Sequence, residues 1–123
     1  VHETAGVFLL ALWCSGGTVV AVGGDPAERT RGTVVWSNDR GETWSTVATG
    51  AAPYCLNDIS GPADDDLSIA ADGPDGALLH YDGATWTLLR PEDSSLPPLR
   101  AVWSIDSRHI IAGGDGVIVH YRP

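Results

Sequence analysis

Three segments of the chain resemble one another at a spacing of about 40 residues, and this repeat limits the possible fold more than any other feature. The best matches are Gly32–Ser37, Gly76–Tyr81 and Gly116–Tyr121, and a second apolar run precedes each of them, at Val20–Gly24, Ser68–Asp72 and Ile110–Gly114. A period of this length, with about four short apolar runs per unit, is typical of the blades of a β-propeller. The sequence therefore predicts an all-β fold built from four-stranded antiparallel blades.

We predict a single propeller segment over residues 1–123, with three blades at about residues 7–50, 54–92 and 98–123. The third unit reaches Pro123 without a fourth apolar run, whereas Val1–Thr4 precedes the first unit at the distance of an outer strand. Residues 1–4 are therefore expected to form the outer strand of the third blade, either in the same chain or in a partner chain.

Three blades are fewer than the four to eight that propellers usually contain. The first and third blades would each expose an apolar face larger than the patch of about 300–600 Å² that a typical monomer shows. We therefore expect two copies to form a homodimer with six blades. Two alternatives stay open: the chain is a segment of a longer propeller, or it is an open monomer.

The motif with the most specific pattern is the run from Ser37 to Trp44, which reads S-N-D-R-G-E-T-W. Gly41 allows a positive φ in a turn, and Asp39 can accept hydrogen bonds from the amides of that turn. Ser37 and Thr43 can pair across the hairpin, and Trp44 can pack beneath it. The run resembles the Asp-box, also called the bacterial neuraminidase repeat (BNR), of sialidase-like propellers. This resemblance implies a structural element away from any catalytic face.

In the later units, the sequences of Leu78–Trp86 and Leu99–Trp103 resemble those of blades in bacterial propellers of the photosystem-assembly-factor type. Within the first of these runs, Asp82-Gly83 predicts a tight type I′ hairpin. The two resemblances together cover nearly the whole chain. They imply the fold and say little about function, because propellers carry many unrelated activities.

A sialidase-like enzyme would need, as the Asp-box resemblance implies, three arginines around the substrate carboxylate, a Tyr–Glu pair and an acidic Asp. The seven arginines occupy no repeated position, and Tyr54 has no evident glutamate partner. We therefore assign no catalytic residue and expect the chain not to be an enzyme. His80 and His120 occupy equivalent positions, and we expect packed or hydrogen-bonded side chains there rather than metal ligands.

Charge and composition limit the classes of partner that the chain is expected to bind. Sixteen acidic residues against seven arginines give a net charge of −9, which disfavours a nucleic-acid partner, and no apolar run is long enough to cross a membrane. The acidic runs Asp64–Asp66 and Asp72–Gly76 offer oxygen ligands that suit Ca²⁺, but turn formation explains them as well, so no cofactor is expected.

Cys14 and Cys55 are expected to be buried thiols rather than a disulfide. The compartment stays open, with secretion slightly favoured.

Three aromatic residues are the candidate ligand-binding set: Trp13, Tyr54 and Trp103. Trp13 and Trp103 are equivalent by repeat, so they either line a channel mouth or, as we favour, pack between blades. The favoured function is a non-enzymatic scaffold or recognition module for a protein or, in a lectin-like manner, a glycan. The alternatives are a sialidase-like glycan-processing enzyme, and a fragment or engineered repeat protein without an activity of its own.

Overall fold

The computed structural model describes residues 8–24, 32–49, 55–72, 77–89 and 96–122. The regular structure in these ranges is β, which confirms the predicted class. The strands are β1 (Phe8–Ser15), β2 (Thr18–Gly24), β3 (Gly32–Ser37), β4 (Ser45–Val47), β5 (Leu56–Ala63), β6 (Asp66–Ala71), β7 (Ala77–Tyr81), β8 (Trp86–Leu89), β9 (Leu99–Asp106), β10 (His109–Gly114) and β11 (Val117–Tyr121). No helix that could span a membrane occurs within the described ranges.

The strands form three antiparallel sheets in chain order. The first sheet has the order β1-β2-β3-β4, the second β5-β6-β7-β8, and the third, within the described part of the chain, β11-β10-β9. The outer strand predicted at residues 1–4 and the candidate residue Tyr54 both lie outside the described residues.

The second sheet lies between the other two and is buried on both faces. Leu67, Ile69 and Leu79 pack on the first sheet, whereas Ala70 and Leu78 pack on the third. Successive side chains of a strand point to opposite faces, so a strand between two neighbours must be apolar at every position. This requirement explains the continuous apolar runs of the sequence.

Strand pairing shows which positions of the three units are equivalent. On the third strand of each sheet, the equivalent residues are Trp36, His80 and His120. Their pairing partners on the second strands are Val20, Ser68 and Ile111. The sequence repeat aligned Ile110 with Val20 and Ser68, which is wrong by one residue. Two adjacent isoleucines fit the apolar pattern equally well in either register, and only the pairing distinguishes them.

The turn between β7 and β8 differs from the type I′ hairpin that Asp82-Gly83 predicts. Gly83 has a φ of 94°, but Asp82 is not among the positive-φ residues, and type I′ requires a positive φ at both central positions. The carboxylate of Asp82 instead accepts hydrogen bonds from the amides of Ala84 and Thr85 at 2.9 and 2.7 Å. These bonds, that of Thr85 above all, lower the pKa of Asp82. The aspartate side chain therefore holds this turn in place of the predicted backbone geometry.

Candidate functional site

The turn from β3 to β4 is closed by the side chains of Ser37 and Asp39. The Ser37 hydroxyl donates to Asp39 Oδ1 at 2.8 Å and accepts from the Gly41 amide at 2.8 Å. Asp39 Oδ1 also accepts from the Thr43 amide at 2.8 Å, and its other oxygen accepts from the Thr43 hydroxyl. Gly41 has a φ of 89°, and Trp44 Nε1 donates to the Gly41 carbonyl at 3.0 Å. Ser37 and Thr43 therefore meet through Asp39, and not through the direct pairing that the sequence suggested.

We expect this turn to make the free energy of unfolding depend on pH in the acid range. The hydrogen bond from the Thr43 hydroxyl, with those from its amide and from Ser37, lowers the pKa of Asp39 from 3.8 to about 2. Because the folded-state pKa lies below the unfolded one, this stabilisation is present above about pH 4 and is lost as the pH falls toward 2. Urea unfolding at pH 5 and pH 3 should show a smaller acid-induced loss for Asp39→Ala than for the wild type. Glu42→Ala, on the same turn, is the control and should behave as the wild type.

Trp13, the first of the candidate aromatic residues, lies between the first and second sheets. Its ring packs against the apolar cluster that joins these sheets, and its Nε1 donates to the Gly61 carbonyl at 3.0 Å. The indole thus fills the seam between neighbouring sheets and satisfies a carbonyl there. Trp13 is thus half-buried and packs between two sheets, which is the role that we favoured for it.

Replacing Trp13 with phenylalanine should lower the free energy of unfolding by about 1–3 kcal/mol, because the Gly61 carbonyl loses its donor. Phenylalanine keeps an aromatic contact with the cluster but is smaller than the indole, so some packing is lost as well. Chemical unfolding followed by circular dichroism measures this difference. A loss well above this range would mean that packing of the larger indole contributes more than the bond.

Trp103, the second candidate, is exposed on the face of the third sheet that points away from the second sheet. It is 70% exposed, and Ile105 and Ile118 near it are 59% and 82% exposed. Ile111 joins them, because it pairs with Trp103 across β9 and β10. Together Trp103, Ile105, Ile111 and Ile118 form what we call the third-sheet face. Contiguous exposed apolar patches are uncommon on soluble proteins, and this one makes the third-sheet face a candidate interaction surface.

A second apolar surface lies on the opposite side of the molecule, on the outward face of the first sheet. A groove there is lined by Leu9, Leu12, Ala21, Val35 and Trp44, and we call it the first-sheet face. Leu12 is 68% exposed. Cys14, two residues further along β1, is also exposed, whereas Cys55 is buried and neither forms a disulfide. The expectation that both thiols are buried is therefore wrong for Cys14.

The polar side chains are mostly engaged in local pairs. His80 Nε2 lies 2.9 Å from Asp66 Oδ1, and the Thr18 hydroxyl donates to Asp64 at 3.2 Å. Arg100 pairs with Asp115 at 3.1 Å, which raises the pKa of the arginine further. Hydrogen bonding therefore accounts for His80, as expected, and for two of the clustered aspartates.

Sequence reasoning identified Trp103 but missed its neighbours. Ile118 lies in an apolar run that looks the same as the buried strands of the second sheet, whereas Ile105 lies between Ser104 and Asp106 at the end of β9. The run Val117–Val119 is apolar at every position, so its sequence carries no signal of which face is exposed; in the structure Ile118 points to the face opposite Val117 and Val119.

Comparison with known proteins supports the fold. No family model and no curated protein matches the sequence. The structure is similar to that of YCF48 bound to D1 peptide, with 20% identity and a TM-score of 0.72 over 95% of this chain and 37% of that one. It is also similar to YCF48 from Cyanidioschyzon merolae, with 18% identity and a TM-score of 0.76 over 99% of this chain and 39% of that one. Both are β-propellers, as the photosystem-assembly-factor resemblance implied, and this chain spans less than two fifths of either.

Proposed function

We propose that the chain is a non-enzymatic β-propeller module of three blades that binds protein through its apolar sheet faces, and that two copies complete each other to six blades. The stacked sheets correspond to the blades, and six falls within the usual range of four to eight. The similar structure of YCF48 is bound to a D1 peptide, so a propeller of this kind can take a protein ligand.

The observation that carries the proposal is the third-sheet face, where Trp103, Ile105 and Ile118 are each more than half exposed. Burying apolar surface contributes roughly 25 cal/mol per Å², and tryptophan is enriched among the residues that dominate protein interfaces. These side chains offer few hydrogen-bonding groups for the hydroxyls of a sugar. A protein surface is therefore the partner class that fits, rather than a glycan.

Light scattering on the purified chain tests the self-association. We expect a mass near twice 12.9 kDa for the wild type and near 12.9 kDa for Ile118→Arg, because the new charge would be buried in the interface. Ser107→Arg, on the exposed turn between β9 and β10, is the matched control and should keep the mass of the wild type. A wild-type mass that stays at 12.9 kDa as the protein concentration rises contradicts the proposal.

A fluorogenic sialoside tests the non-enzymatic part of the proposal. We expect no turnover, because Arg100 is paired with Asp115 and no arginine, tyrosine and glutamate set could be assigned to the chemistry. Hydrolysis that survives further purification would overturn this part and favour the glycan-processing alternative.

A further inference from the structure

We propose that the third-sheet face of one copy docks on the first-sheet face of a second copy, in the way that the first sheet docks on the second within the chain. The inference rests on the proposed function and names the partner of both apolar faces. Trp103 then takes the place in the new seam that Trp13 has between the first and second sheets.

Strand pairing identifies the residues that correspond between sheets. Trp13 pairs with Val20 and Trp103 with Ile111, and these two partners are equivalent positions of the second strands. Trp13 and Trp103 are therefore equivalent, as the sequence repeat predicted. Trp13 is covered by the second sheet and bonded to Gly61, whereas Trp103 is 70% exposed.

Ile118, on the third strand of the third sheet, is likewise exposed where its equivalents on the other sheets are buried. Its equivalents are Val34, which pairs with Val22, and Leu78, which pairs with Ala70. Both are buried against the following sheet, at 1% and 3% exposure, whereas Ile118 is 82% exposed. The third-sheet face therefore has the residues of a docked sheet, and no sheet covers them within the part of the chain that the structure describes.

The first-sheet face is exposed where its equivalents on the other two sheets are covered by a preceding sheet. Leu12 pairs with Ala21, and its equivalents Ile59 and Val102 hold the same position on the second and third sheets. Each of these equivalents is buried by the preceding sheet, at 6% and 4% exposure, but Leu12 is 68% exposed. The first sheet is thus built to receive a preceding sheet.

A second copy of the chain is the occupant that covers both faces at once. Within one copy the second sheet separates the first from the third, so the two unpartnered faces point away from each other. Two copies related by a two-fold axis bring each third sheet onto the other copy's first sheet. Such a ring covers every face and leaves none for further growth, so association stops at two copies.

Mixing two charged variants tests this mode of docking, with masses measured by light scattering and folding checked by circular dichroism. Leu12→Asp disables the receiving face, and Ile118→Arg disables the docking face. We expect each variant alone to be monomeric. An equimolar mixture should form heterodimers, because the intact third sheet of Leu12→Asp can dock on the intact first sheet of Ile118→Arg. Trp103→Ala should raise the dissociation constant of the otherwise unchanged dimer by roughly 30-fold, and Trp103→Phe by less.

The other outcomes separate this docking mode from the self-association on which it rests. If Leu12→Asp alone still forms dimers, two third sheets pack back to back, and the docking mode is wrong while self-association stands. If Ile118→Arg alone still forms dimers, the first sheets pack together, with the same consequence. A wild-type species larger than a dimer overturns the two-copy ring, and a monomeric wild type overturns both proposals.

Discussion

Replacing Leu79 with alanine is expected to lower the free energy of unfolding by about 2–5 kcal/mol, the range for removing a buried leucine side chain. Leu79 is fully buried in the cluster that joins the first and second sheets, and it pairs with Ile69 and Leu88 on the neighbouring strands. Because β7 lies inside the second sheet, backbone movement cannot close the cavity easily. Small domains have a total stability of about 5–15 kcal/mol, so this loss would be a large fraction of it.

Urea unfolding followed by circular dichroism measures the effect, with Leu79→Met as the control of nearly equal volume. The control should cost less than about 1.5 kcal/mol, because methionine can fill the same space. If the free energy of unfolding of the alanine variant lies within about 1 kcal/mol of the wild-type value, the two sheets repack freely at this position.

Gly61→Ala is expected to have an effect at least as large, about 3 kcal/mol or more, and to reduce the yield of folded protein. A Cβ atom at Gly61 would lie 2.1 Å from the Asp66 carbonyl oxygen and 2.9 Å from Leu67 Cδ2. The nearest atom belongs to the backbone of β6, so no side-chain rotation relieves the contact. Displacing the strand would also move the carbonyl that accepts the Trp13 hydrogen bond.

Gly113→Ala is the matched control, also a glycine within a strand. Its Cβ would meet only the Val117 carbonyl oxygen, at 3.8 Å, and the equivalent positions hold Val22 and Ala70. We expect a change within about 0.5 kcal/mol. Similar unfolding curves for the two glycine variants would contradict the close approach of β6 at Gly61.

Local features were predictable because the residues that determine them are close in sequence. The positive φ at Gly41 and the acceptor role of Asp39 follow from a turn of a few residues. The Asp82 turn was the exception, because its dipeptide pattern ignored the carboxylate that bonds the amides of Ala84 and Thr85. The Asp-box family itself stays a prediction, since no comparison bears on it.

Register was less predictable, because it depends on which residues face each other across strands. Ile110 and Ile111 are both apolar, so the repeat pattern alone could not choose between them. Pairing of Ile111 with His120 resolves the choice, and the pairing of Trp103 with Ile111 agrees with the equivalence of Trp13 and Trp103 that the repeat predicted.

The sequence alone determined the all-β class, the repeat and the equivalence of Trp13 with Trp103, because each depends on apolar periodicity and turn residues. Only the tertiary structure decided which of the two tryptophans is covered. Burial depends on whether another sheet lies against the face, and an apolar strand has the same pattern with or without that neighbour. The second sheet covers Trp13, and within the described residues no sheet covers Trp103, so the side chains that form the two exposed faces could be assigned only once the packing order was known.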